Sequence, residues 1–242
     1  MTETALGHRR GPLAVVRLAA SNVVSTSLFA ALIIGSSYLF TGIFNWPRGW
    51  LVVALFFFVS FFGGLYFLAR DPGLVEERAK MPRPKTLRDT AASLVILASV
   101  IGFCLAAVWD ARTRALLPMQ SGVSLAAGLI VFGLAIAIMV WTFRVNSFGT
   151  TVVEVQEARN QRVIDSGPYR FVRHPMYHGA VWFFVGMALM LGSLALALAA
   201  IVVFPLAFAP RILVEESVLR RDLTGYADYQ RRVRIRIFPG VF

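Results

Sequence analysis

Apolar residues along this chain gather into long runs separated by polar connections. Asn22 to Phe44 carries no charge, and Gly49 to Ala69 follows with Phe56, Phe57, Phe58, Phe61 and Phe62 inside it. Thr90 to Trp109 and Gly122 to Phe143 come next. Each of these four runs has about the 20 residues that a helix needs to cross the hydrocarbon core of a bilayer. Tyr177 to Ala209 is longer, and Gly192-Ser193 near its middle is placed to fold it into a helical hairpin with two shorter arms. The first run is too long for the apolar core of a signal peptide, and further spans follow it. The pattern predicts an all-α integral membrane protein with about six transmembrane helices, the last two a hairpin. It divides into an N-terminal segment (1–21), four helices (22–143) and a region 144–242 that holds the hairpin and a polar tail. Asp71-Pro72-Gly73 reads as a turn ending the second span, and Met81 to Lys85 as a stiff basic loop.

Composition narrows the class. The chain is 57% hydrophobic and 15% charged, too apolar for disorder. Cys104 is the single cysteine, so no disulfide forms within the chain. The formal net charge of +11 raises the question of nucleic acid, and the placement of the charge answers it. Counted by connection, 21 Lys and Arg fall on one set of alternating sides and 3 on the other. Basic residues collect on the cytoplasmic side, so both termini are expected there. Spread over four segments, they make no single basic stripe for nucleic acid. Most of this charge serves topology and attraction to anionic lipid, worth about 1 kcal/mol per nearby basic residue. Arginine outnumbers lysine by 22 to 2, as in GC-rich genomes, which suggests a bacterial inner membrane.

Chemistry on the cytoplasmic side falls to the two longest polar stretches. In the first, Ser166-Gly167-Pro168 makes a turn. Arg170 and Arg173, three apart, are expected on one side of a helical turn. His174 precedes Pro175, which suits the first position of the next helix. Two arginines, a histidine and the tyrosines Tyr169 and Tyr177 around a helix N-terminus suit a carboxylate or phosphate. The plainer reading is a basic interfacial turn with aromatic anchors. In the second stretch Glu215 and Glu216 need compensation in so apolar a setting. Ordinary helix-surface pairs, Arg211 with Glu215 and Glu216 with Arg220, would supply it. The alternative is a carboxylate that holds a cationic ligand beside His174. His178 reads as an interfacial histidine, with a substrate contact as the alternative.

Gly167-Pro168-Tyr169-Arg170, Val172-Arg173-His174-Pro175, Tyr177 and Gly179 resemble the first signature block of isoprenylcysteine carboxyl methyltransferases and their bacterial relatives. Glu215-Glu216, Leu219, Gly225-Tyr226, Tyr229, Arg232-Val233 and Pro239 resemble the second, with Asn146 ahead of both. Pro72-Gly73-Leu74 and Glu77-Arg78 are similar to an upstream element of the bacterial members. The resemblance implies a membrane enzyme that uses S-adenosylmethionine, bound at the cytoplasmic face by the C-terminal segments, and a lipophilic acceptor that enters from the bilayer. It implies a cofactor pocket made by Gly167, Pro168, Tyr169, Arg170, Val172, Arg173, His174, Pro175, Tyr177, Glu215 and Glu216. Asn146, Tyr229 and Arg232 fall to the acceptor side, and Arg173, His174 and Arg232 to catalysis. No metal is expected.

A carboxylate acceptor is already ionised and needs a positive group, Arg173 or Arg232, to orient it. An amine or thiol needs a base, and His174 is the nearest titratable candidate. Methylation of a small lipophilic acid or thiol, or of a phospholipid amine, remains open on these residues. Membrane sterol reductases that bind NADPH have a similar C-terminal architecture, but Pro175 and Met176 depart from their Arg-His-x-Asn-Tyr block. A non-catalytic helical scaffold would not need two linked blocks.

Overall fold

The computed structural model describes residues 3–79, 86–149 and 155–240. These residues are largely helical and contain no strand. Helix α1 (Glu3–Ala30) runs through a wider π-type turn, Ala31–Gly35, into α2 (Ser36–Thr41). Next come α3 (Pro47–Arg70), a short α4 (Pro72–Ala79), α5 (Leu87–Trp109) and α6 (Ser121–Val145). The hairpin is α7 (Pro175–Leu191) and α8 (Leu194–Asp222), turning at Gly192-Ser193, and α9 (Tyr226–Arg232) comes last. Five helical stretches are long and apolar enough to span a membrane, and α7 is a shorter apolar helix. The architecture is that of an all-α integral membrane protein.

Three boundaries differ from those the apolar runs predict. Helix α1 begins at Glu3 and its apolar span at Leu13, so residue 21 marks no change of backbone. Hydropathy reports where a helix turns apolar, which need not be where its backbone starts. The second hairpin arm is not short, because α8 continues through Pro205 and Pro210 for 29 residues and carries both glutamates. Interior prolines are tolerated in membrane helices where neighbouring groups satisfy the freed backbone. Asp71 does end α3, yet the chain enters the helix α4 at once instead of a loop, and Asp71 Oδ1 accepts from the Leu74 amide at 3.0 Å. The Met81–Lys85 loop lies outside the described residues.

Helix α7 is the centre of the bundle, packed between α6 and α8, with α3 and α5 also against it. Nearly all of its second half, Val185 to Leu191, is buried. Two glycines permit the α6–α7 contact. A Cβ on Gly186 would stand 2.6 Å from the Phe132 amide nitrogen, and one on Gly128 would stand 2.6 Å from that of Met190. Small residues let membrane helices approach to backbone contact. Aromatic rings continue the core along α8. Phe184 stacks on Phe204 (centroids 3.8 Å), Phe204 meets Phe208 (5.7 Å), and Phe208 meets Tyr177 (4.9 Å) at the polar end.

Side-chain contacts separate the two ends of the bundle. At one end Arg48 Nη1 donates to Ser124 Oγ (3.1 Å) and Arg112 Nε to Ser37 Oγ (3.0 Å). There too Ser193 Oγ donates to the buried Asp110 (2.5 Å). At the other end Arg78 Nη1 donates to the Gly149 carbonyl (3.2 Å), and Arg159 lies 4.0 Å from Asp71. The connections with few basic residues thus meet at one end, and those rich in them meet at the other.

Candidate functional site

The polar end of the hairpin holds a cavity of about 100 Å³. The turn before α7 supplies Tyr169, Arg173, His174 and Pro175, and α7 itself supplies Tyr177. Asn146 comes from the end of α6, Arg211 and Glu215 from α8, and Tyr226 and Tyr229 from α9. Local sequence explains how the turn is made. Gly167 takes φ +58°, and a Cβ there would press on Trp141 and Val145 at 3.1 Å. Pro168 then starts one 3-10 turn, Gly167–Arg170, and His174 precedes Pro175 at the first position of α7.

Glu216 is the hub beneath the cavity, and its side chain is 3% exposed. It accepts from Arg173 Nε at 2.7 Å and from Arg236 Nε at 3.1 Å. Its Oε1 also lies 3.1 Å from His174 Nε2. A carboxylate accepts only, so this contact assigns the ring proton to Nε2. Nδ1 then faces the other side, 4.0 Å from Glu215 Oε1. Glu215 lines the cavity and is 32% exposed, with the Tyr177 hydroxyl at 3.4 Å. The adjacent acids therefore have different surroundings: Glu216 is held by Arg173, Arg236 and His174, while Glu215 faces the cavity.

The tail closes the other side. The amides of Arg173 and His174 donate to the carbonyls of Ile235 (2.9 Å) and Arg236 (3.0 Å), and Arg173 Nη1 donates to Val233 O (2.8 Å). Arg173 Nη2 has no hydrogen bond among the described residues. Asn146 Oδ1 accepts from the Phe148 amide (2.9 Å) while its Nδ2 donates to the Tyr169 hydroxyl (2.6 Å). Tyr229, 1% exposed, donates its hydroxyl to the Tyr169 carbonyl (2.9 Å). Burial pushes the phenols of Tyr169, Tyr226 and Tyr229 up from their ordinary range, so all three remain O–H donors near neutral pH.

The residues expected from sequence divide in two. Asn146, Tyr169, Arg173, His174, Pro175, Tyr177, Glu215 and Tyr229 line the cavity; Gly167, Pro168, Arg170, Val172, Glu216 and Arg232 do not. Gly167, Pro168 and Val172 shape the turn. Arg170 is exposed while Arg173 is buried, so they do not share a side. The short 3-10 turn ends at Arg170, and no helix carries both. Arg232 is also turned outward, 64% exposed, and pairs with Asp165 at 2.9 Å. The amides expected to meet an anion at the start of α7 are, at Arg173 and His174, taken by the tail. Among the described residues both arginines of the expected helix-surface pairs bond elsewhere. Arg211 bonds Asp89 of α5 and Arg220 donates to Gln230 (3.0 Å), because both arginines find partners on packed neighbours. His178 holds the tail: it lies 3.0 Å from the Ile237 carbonyl and accepts from Trp182 Nε1 at 3.1 Å.

Arg211 and Tyr226 were missed as cavity residues. The signal for Arg211 was present, since 211, 215 and 218 recur at the spacing of one helix face.

Residues 123–224 match the family model of phospholipid methyltransferases (PEMT). The match covers about two-fifths of the chain and takes in Asn146, the turn, the hairpin and both glutamates. It is to a family of membrane methyltransferases, and not to isoprenylcysteine carboxyl methyltransferases in particular. A search of curated proteins finds no match.

Proposed function

We propose that this protein is an S-adenosylmethionine-dependent methyltransferase of the membrane that acts on a lipophilic acceptor at the cytoplasmic face. The observation that carries the reading is the cavity beneath the hairpin, where Glu215, Arg173 and His174 meet the rings of Tyr177, Tyr226 and Tyr229. It lies largely within the segment that matches a methyltransferase family. That match also favours methyl transfer over the NADPH-dependent alternative. The cytoplasmic assignment rests on the basic residues, 21 against 3.

The residues fit the cofactor's chemistry. The Glu215 carboxylate suits its ammonium, and Arg173 Nη2 suits its carboxylate. Tyrosine faces suit its positive sulfur. These polar groups are those that the amino-acid end of the molecule needs. When bound, S-adenosylmethionine supplies an electrophilic methyl group. The chain's own part is to position the acceptor in line and exclude water, with Arg173 fixed by Glu216 and by two tail carbonyls. A carboxylate acceptor, as in isoprenylcysteine-type substrates or a small lipophilic acid, needs no base. An amine or thiol gives its proton to His174 Nδ1, whose ring Glu216 holds through Nε2.

The acceptor carries two readings. Likeness to the isoprenylcysteine enzymes favours a carboxylate, and the family match favours a phospholipid amine. The test is methyl-labelled S-adenosylmethionine given to the detergent-purified protein with membrane lipid, a farnesylcysteine analogue and lipophilic acids, followed by product identification. S-Adenosylhomocysteine is expected to raise the unfolding temperature. No labelled product and no thermal shift would refute the proposal. A shift with NADPH in place of S-adenosylhomocysteine would assign a reductase.

A further inference from the structure

Asp89 lies outside the motif blocks and outside the segment that matches a family, yet it is tied to the cavity. It is the third residue of α5, and its amide donates to the Thr86 hydroxyl at 3.1 Å. The positive end of a helix favours a carboxylate in its first turn. Its partner is Arg211, which lines the cavity from α8. Both side chains are buried, and Arg211 Nη1 donates to Asp89 and to Ser93 Oγ (3.3 Å), one turn further along α5. Ser93 Oγ in turn donates to the Asp89 carbonyl at 2.9 Å.

Arg211 has a nearer anion in sequence. Glu215 stands four residues on along the same face of α8 and lines the same cavity. The Tyr177 hydroxyl touches both: it is hydrogen-bonded to Arg211 and lies 3.4 Å from Glu215 Oε2. An Arg211–Glu215 pair would set a guanidinium on the carboxylate that the cavity offers to a cation, and would cancel its charge. Asp89 draws the guanidinium toward α5 instead. The two buried arginines of the cavity then each have an acid, Glu216 for Arg173 and Asp89 for Arg211, and the Glu215 charge remains for a ligand.

We propose that Asp89 is a positioning residue of the cavity: by holding Arg211 against α5 it keeps that cation off Glu215, so that Glu215 takes the ammonium of the cofactor's amino-acid end. The role of the ammonium rests on the methyl-transfer reading, whereas the placement of Arg211 does not.

Two measurements on the full-length protein in detergent test it. The first is the rate at which a water-soluble carbodiimide with glycine ethyl ester modifies Glu215, read by mass spectrometry. The second is the preference for S-adenosylhomocysteine over its analogue with hydrogen in place of the α-amino group. In the parent this preference should be about 10- to 150-fold, the worth of one charge-assisted bond. In Asp89→Asn the guanidinium turns to Glu215. Modification should slow several-fold and the preference should fall to a few-fold, with affinity for the analogue little changed. A structural defect alone would weaken both ligands alike. Asp89→Asn combined with Arg211→Met removes the cation as well and should restore both readouts. In a folded Asp89→Asn, an unchanged modification rate overturns the proposal, and so does an unchanged preference. Faster Glu215 modification in the double variant than in the parent also overturns it, because Arg211 would then be shielding Glu215 in the parent; this comparison holds whether or not the single variant folds. A parent that binds neither ligand removes the proposed function, and the modification rates then decide the placement of Arg211 by themselves.

Discussion

Replacing Glu215 and Glu216 one at a time should separate binding from stability at two adjacent positions. Glu216 is enclosed and accepts from Arg173 and Arg236, with His174 at 3.1 Å. Glu216→Ala leaves Arg173 and His174 buried without their anion. Breaking a buried pair by removing one partner costs about 3–5 kcal/mol. The variant should lose several degrees in unfolding temperature, and its tail should become sensitive to protease after Val233. Glu215 is one-third exposed, with the Tyr177 hydroxyl at 3.4 Å and His174 Nδ1 at 4.0 Å. Glu215→Gln should unfold at the parental temperature. If it holds the ligand's ammonium, one charge-assisted bond of about 1.5–3 kcal/mol is lost. That corresponds to about 10- to 150-fold weaker S-adenosylhomocysteine binding. Calorimetric titration beside a thermal ramp in the same detergent measures both. The reasoning fails if Glu216→Ala keeps the parental stability, or if Glu215→Gln binds S-adenosylhomocysteine as the parent does.

Gly186→Ala should cost about 1–3 kcal/mol through overpacking, since its Cβ would stand 2.6 Å from the Phe132 amide nitrogen; thermal unfolding reads it. Asp89→Ala should cost about 3–5 kcal/mol by removing the carboxylate that the buried Arg211 pairs with, and a second change, Arg211→Met, should recover part of that loss. Arg232→Ala should cost at most about 1 kcal/mol and leave S-adenosylhomocysteine affinity unchanged, because Arg232 forms an exposed pair with Asp165. A large loss of affinity in that variant would return Arg232 to the site.

Much of this arrangement was legible in the sequence. Run length gave the spans, arginine placement gave the alternation of ends, and Gly192-Ser193 marked the hairpin. Arg173, His174, Glu215 and Glu216 do meet, as two motif blocks on either side of a hairpin suggest. Which glutamate faces the cavity was not legible. Adjacent helical residues point about 100° apart, and the choice is made by α7 and the tail packing against α8. The partner of Arg211 lies 122 residues away on α5. Local spacing offered Glu215 as a nearer partner, and tertiary packing overrode it. Arg232 was assigned by its place in a motif, which says nothing of the direction of its side chain.

The pairing of Ile235 and Arg236 with Arg173 and His174 has a consequence for biogenesis. Helices are inserted as they emerge from the ribosome, whereas the candidate site is closed by backbone that is translated after the described spans. A chain ending before Val233 would keep the described membrane helices and lose the carbonyls that hold Arg173 and the backbone pairing that closes the turn. Closure of the candidate site would then be a late step, when residues 233–238 fold back onto the start of α7.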